Sequence, residues 1–179
     1  MQNHPSKLTG LPTRQLVRAG LIAGIYMVLT LIAPFNLSFG PFQFRLSEAM
    51  TLLPMLTWDA IPGLAVGCLL ANLLGGGVWF DVVFGALATL LAAIFTRRWR
   101  KHPLLGALSP VLFNGLIVGP VVYFAYVRAP GTPVAVGALL FTAFTVALGE
   151  LAVCYLLGLP LYYGLKQLPK GMITDGDSE

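Results

Sequence analysis

Residues 16–33 read LVRAGLIAGIYMVLTLIA, an apolar run whose single charge, Arg18, stands close to its start. The run approaches the roughly 20 apolar residues that a membrane-crossing helix needs. Arg14 and Arg18 introduce it, so it also has the outline of a secretory signal. The rest of the chain decides between the two. Across 179 residues, 57% are hydrophobic and only 10% charged, with a mean hydropathy of +0.82. A soluble domain carries about 25% charged residues, and here there are too few to cover a water-facing surface. The run is therefore read as a retained first span of an all-α integral membrane protein, with room for about six helices.

Working outward, residues 34–46, PFNLSFGPFQFRL, form a loop rich in Phe, Pro and Gly. A short span follows at about 47–57 with Pro54 inside it. At that length it must be tilted, distorted or shielded by protein. Trp58, Asp59 and Pro62 mark a turn, and a third span at about 60–74 ends in Gly75-Gly76-Gly77. The fourth, about 78–95, stops at RRWRK (97–101), and the fifth, about 104–126, contains Pro110, Asn114 and Pro120. The sixth, about 134–165, exceeds one membrane thickness and is expected to break near Gly149 or Gly158. Residues 1–13 and 169–179 are expected to be cytoplasmic tails on a single transmembrane domain, 14–168.

Six alternating spans put both termini on one side. That side then holds Lys7, Arg14, Arg18, Arg97, Arg98, Arg100, Lys101, Lys166 and Lys170, nine of the 11 basic residues. Only Arg45 and Arg128 remain outside, so the positive-inside rule makes both termini cytoplasmic. The net charge of +4 is spent on these groups. There is no basic face with interleaved aromatics, and no nucleic-acid partner is expected. Cys68 and Cys154 lie inside apolar segments without a CxxC pair, which points to packing and to neither a disulfide nor a metal site.

Five polar residues then stand out, each from a different span, all at the midplane or in the outer half. They are Glu48 and Asp81 at the outer starts of spans two and four, Asn72 late in span three, Asn114 midway along span five, and Glu150 deep in span six. An ionisable group in hydrocarbon costs on the order of 2.5–3.5 kcal/mol even on insertion scales, so such residues usually face a protein interior or a cavity. Plainer readings stand beside this one. Glu48 suits a helix N-terminus through the dipole alone, Asp81 suits the headgroup level, and the two Asn suit interhelical hydrogen bonds. Glu150, flanked by Ala147, Leu148, Gly149 and Leu151, is the hardest to explain that way. Arg45 stands three residues before Glu48, on the same face of a helix. It either snorkels to the headgroups or partners Glu48 in a site. Phe35, Phe39, Phe42 and Phe44 form an interfacial belt or a lid, and the shared outward location of the polar groups favours the lid. In span one, Ala19/Ala23 and Gly20/Gly24 are small-xxx-small pairs that let another helix approach closely, within the chain or from a partner.

No phosphate-binding loop, HExxH or GxSxG is present, and the two His residues lie in cytoplasmic segments. Metal, cofactor and serine-triad catalysis are poorly supported, and any ATP chemistry would belong to other subunits.

Three stretches carry a resemblance: RLSEAMTLLP (45–54), IPGLAVGCLLANLLGG (61–76) and DVVFGALATLLAA (81–93). They resemble the QueT-type queuosine-precursor transporters, substrate-binding S components of energy-coupling factor (ECF) importers, over about residues 14–168. The resemblance implies a six-helix membrane protein of the prokaryotic plasma membrane that binds a micronutrient under the loop after the first span. It also implies a transmembrane coupling subunit, to which the Ala19/Ala23 strip would dock, and two cytoplasmic ATPases. Toppling of the S component would release the ligand inward. The implied ligand is a 7-deazaguanine, whose adjacent N–H donors suit a carboxylate while an amine substituent suits a second acid. Arg45, Glu48, Asn72, Asp81, Asn114 and Glu150 are the candidate binding residues. They would also suit thiamin or another cationic heterocycle. A stand-alone secondary transporter with Glu150 and Asp81 as a relay is a rival reading, weakened by the missing internal repeat. A small intramembrane enzyme would need a nucleophile or metal cluster that is not evident.

Overall fold

Each long apolar run becomes a helix, and one short run does not become an α-helix at all. The computed structural model describes residues 13–32 and 45–169, in which every regular element is helical. Helix α1 covers Thr13–Leu31. A 3-10 segment, Leu46–Met55, follows, then α2, Ala60–Leu74, and α3, Ala86–Arg98, entered through a π turn at Asp81–Gly85. Helices α4, Pro103–Val127, and α5, Val136–Lys166, complete the series. Among the described residues α1, α4 and α5 are long and apolar enough to cross a membrane.

The 3-10 segment explains how a short run survives between membrane helices. Every residue from Ser47 to Met55 is buried, and the segment touches all five helices. It is shielded by protein, as a span below membrane length must be. Pro54 lies inside it and, lacking an N–H, cannot donate a helical hydrogen bond. The orphan carbonyls at its end are met from α3: Arg97 Nη1 donates to Pro54 O at 3.0 Å and Met55 O at 3.3 Å. The Arg97 guanidinium also stands 4.8 Å from the centre of the Trp58 ring. Beside it, Arg18 of α1 pairs with Asp59 at 2.7 Å. These contacts tie one end of the bundle together.

Helix α5 runs on through the region where a break was expected. Its excess length is taken up by a π turn at Cys154–Gly158, and α4 carries two more, at Asn114–Val118 and Tyr123–Val127. A π turn inserts one residue without ending the helix and re-aims the side chains beyond it, which is why such turns gather at functional sites.

The small residues of α1 divide between two faces. The Ala19 and Ala23 backbone lies against Gly63 and Gly67 of α2: a Cβ added at either glycine would sit 2.8 Å from the facing carbonyl oxygen. This is a small-xxx-small crossing on both helices. Gly20 and Gly24 point the other way, with nothing within 4 Å of a would-be Cβ.

Candidate functional site

The polar residues gather at the end of the bundle opposite Arg97. The glycine run after α2 makes this local geometry. Gly76 adopts φ +75°, a left-handed conformation that glycine takes without steric cost, and Gly77 N–H closes the turn on Asn72 O at 3.0 Å. The chain thus doubles back, and Asn72 Nδ2 donates to the Asp81 carbonyl at 2.9 Å. Gly85, one turn on, leaves space for the Asn72 side chain, since a Cβ there would stand 2.7 Å from Nδ2.

Arg45, Glu48, Asn72, Asp81, Asn114 and Glu150 are all buried, none more than 8% exposed. Neither Arg45 nor Asp81 is exposed at the protein surface. The Arg45 guanidinium lies in the field of both Glu48 and Asp81, with Nη1 4.0 Å from Cys68 Sγ. Glu150 lies in the field of Glu48 and Arg45 and beside Asn114, whose amide nitrogen completes no hydrogen bond of normal geometry. One guanidinium and three carboxyl groups, from the 3-10 segment, the α3 entrance and α5, therefore share one electrostatic neighbourhood.

Two tyrosines, not anticipated from the sequence, organise the acids. The Tyr26 hydroxyl of α1 donates to Glu48 Oε1. The Tyr126 hydroxyl, in the second π turn of α4, donates to Asp81 Oδ2 at 2.8 Å. Each bond fixes one carboxylate oxygen and leaves the other, Glu48 Oε2 and Asp81 Oδ1, without a partner among the described residues. Asn72 Oδ1 is a third such acceptor. Beneath Glu48, Thr30 Oγ1 donates to Ser47 Oγ at 2.7 Å and Cys154 Sγ stands 3.9 Å from Glu150 Oε2. Both cysteines are free and buried, and both adjoin the charged cluster. A signal for Tyr26 was present: a tyrosine well inside an apolar run has a hydroxyl that needs a partner.

The Phe35, Phe39, Phe42 and Phe44 lid lies outside the described residues. A groove of about 880 Å³ outside the cluster, lined by Trp79, Phe80, Phe84, Leu116, Phe124 and Arg128 among others, is mostly apolar and better matched to lipid than to a polar heterocycle. No group of three or more metal-ligating side chains occurs among the described residues.

The profile described as QueT transporter matches residues 16–167. The chain belongs to the QueT transporter family. Family membership and the three long apolar helices make it a membrane protein. It is similar to the "Queuosine precursor transporter QueT" of Lactococcus lactis subsp. cremoris (strain MG1363), with 32% identity over 80 residues. The alignment takes in 44% of this chain and 47% of that relative, so the chain spans about half the length of the curated relative it matches. No solved structure matches the chain. The QueT match extends over every polar residue of the cluster, from Tyr26 to Glu150.

Proposed function

We propose that this chain is the substrate-binding S component of an ECF-type importer that captures a queuosine precursor, a 7-deazaguanine base, at the outer face of a prokaryotic plasma membrane. The observation that carries the reading is the buried cluster of Arg45, three carboxyl groups and two Asn at one end of a QueT-family bundle, with acceptors left open. A 7-deazaguanine offers adjacent N–H donors to a carboxylate and a carbonyl to an amide donor, and Glu150 beside Asn114 supplies that pair. The chain crosses the membrane six times with both termini cytoplasmic. It hydrolyses no ATP itself; a transmembrane coupling subunit and two ATPases drive the toppling that releases the ligand inward.

We place the coupling surface on the face of α1 that carries Gly20 and Gly24, a reading that the packing of α1 supports. Ala19 and Ala23 are occupied by α2, whereas Gly20 and Gly24 keep an open face on which a partner helix can approach closely. Gly20→Leu with Gly24→Leu is expected to abolish precursor uptake while the purified variant binds the base as the parent does. Normal uptake by the double variant would remove this face from the mechanism. Co-purification of the parent with ATPase subunits separates the S-component reading from a stand-alone carrier, and uptake without them overturns it.

Topology has its own test. In intact cells, a membrane-impermeant thiol reagent should label a cysteine placed at Phe39 or Arg128 and spare one at Trp99. Labelling at position 99 from outside would invert or break the six-span arrangement.

A further inference from the structure

At the end of the bundle away from the polar cluster, Trp58, Ile94, Arg97, Arg98 and Arg100 line a cavity of about 330 Å³. Among the described residues no acid lines it, and Asp59, next to Trp58, is taken by Arg18 at 2.7 Å. Arg97 is buried, donates to Pro54 O and Met55 O, and stands 4.8 Å from the centre of the Trp58 ring. Arg98 and Arg100 differ: among the described residues neither guanidinium makes a hydrogen bond, an ion pair or a ring contact. The C-terminal end of α3 favours cations through its dipole, but that end amounts to only about half a charge. Arg97, Arg98, Arg100 and Lys101 bring four. The positive-inside rule accounts for their number. It does not account for the convergence of three of them, with an exposed indole, on one concavity.

Guanidinium groups gathered in this way match a phosphodiester, whose oxygens accept paired N–H donors from arginine. The apolar walls indicate what carries the phosphate. Trp58 is 59% and Ile94 44% exposed, and a water-soluble anion would leave both uncovered. Leu87, Leu91 and Ile94 follow at spacings of four and three, so they share one face of α3, and Leu87 and Ile94 are exposed. This apolar track leads away from the cavity as an acyl chain would lie. A tryptophan between charged and apolar surface is the usual mark of headgroup depth. We propose that the cavity seats the headgroup of an anionic phospholipid, with its phosphate between Arg98 and Arg100 and an acyl chain along α3. A choline headgroup carries the same phosphate but brings a cation to a place that already holds three. With residues 97–101 on the cytoplasmic side, the lipid belongs to the inner leaflet. The site is independent of which base the polar cluster takes.

Native mass spectrometry of the full-length protein, delipidated in detergent and titrated with phosphatidylglycerol or with phosphatidylcholine of the same acyl chains, tests this. The first phosphatidylglycerol is expected to bind at least about tenfold tighter than phosphatidylcholine, the scale set by two or three basic side chains beside an anionic lipid. Arg98→Gln with Arg100→Gln should bring the two lipids within about twofold of each other. Neither side chain has a partner among the described residues, so the double variant loses no contact seen in the fold. Lys101→Gln with Lys166→Gln removes the same charge outside the cavity lining and should leave the preference standing. Equal binding of both lipids by the parent overturns the site, and this comparison needs no variant. An equal loss of preference in the lysine variant also overturns it, because a basic surface alone would then suffice. Soluble glycerol phosphate is expected not to displace the lipid; displacement would make the cavity a site for a free phosphate and overturn the lipid assignment.

Discussion

Glu48→Gln is expected to weaken binding of an aminomethyl 7-deazaguanine by about 2–5 kcal/mol, the usual result of removing one charge from a desolvated, hydrogen-bonded pair. That is at least about tenfold in affinity. The side chain is 1% exposed, so water cannot compensate for the loss. Gln retains the carbonyl that accepts from Tyr26, which preserves the α1 contact, but puts an amide where Oε2 stood. A donor then faces the donors of the ligand. Folding should be unharmed, since a neutral amide is easier to bury than a carboxylate. If Glu48 served only the dipole of the helical segment, the variant would lose about 0.3–1 kcal/mol of stability and bind as before. Calorimetric titration beside a thermal unfolding curve separates the two roles, and unchanged affinity removes Glu48 from the site. Glu150→Gln is expected to behave similarly through the guanine edge.

The second large effect concerns the α1–α2 crossing. Gly67→Leu should destabilise the isolated protein strongly, because a Cβ at this position would lie 2.8 Å from the Ala23 carbonyl oxygen and 3.0 Å from both Ala23 Cα and Tyr26 Cβ. Backbone atoms cannot swing aside as the end of a side chain can. Overpacking typically costs about 1–3 kcal/mol and occasionally more, and a leucine against main chain belongs at the upper end. The displacement also moves Tyr26 away from Glu48, so ligand affinity should fall together with the unfolding midpoint. Gly20→Leu, on the open face of the same helix pair, is the control and should change neither. An unaltered midpoint in Gly67→Leu would show that α1 is not seated on α2 as described.

The amino-acid sequence by itself determined the medium and the positions of the helices. Too few charges for a water-facing surface, apolar runs near membrane length, and Gly, Pro and charged stops are properties of residue types, independent of how the chain packs. The span expected at 60–74 forms as α2 over the same residues. The polar candidates were legible for the same reason: a carboxylate in an apolar run is costly wherever the run goes, and all six candidates are buried. Rotation was not legible. A helix surrounded by lipid and by other apolar helices is apolar on every side, so hydropathy has no contrast from which to read its inner face. That is why the Ala19/Ala23 and Gly20/Gly24 pairs looked alike until α2 covered one of them. The same lack of contrast hid Tyr26 and Tyr126, whose hydroxyls gain meaning only once α1 and α4 are turned toward Glu48 and Asp81. Tertiary packing also decided the winding of Leu46–Met55, where a run too short to span the membrane is enclosed by five helices, and the π turns that bring Asp81, Asn114 and Tyr126 into one buried cluster.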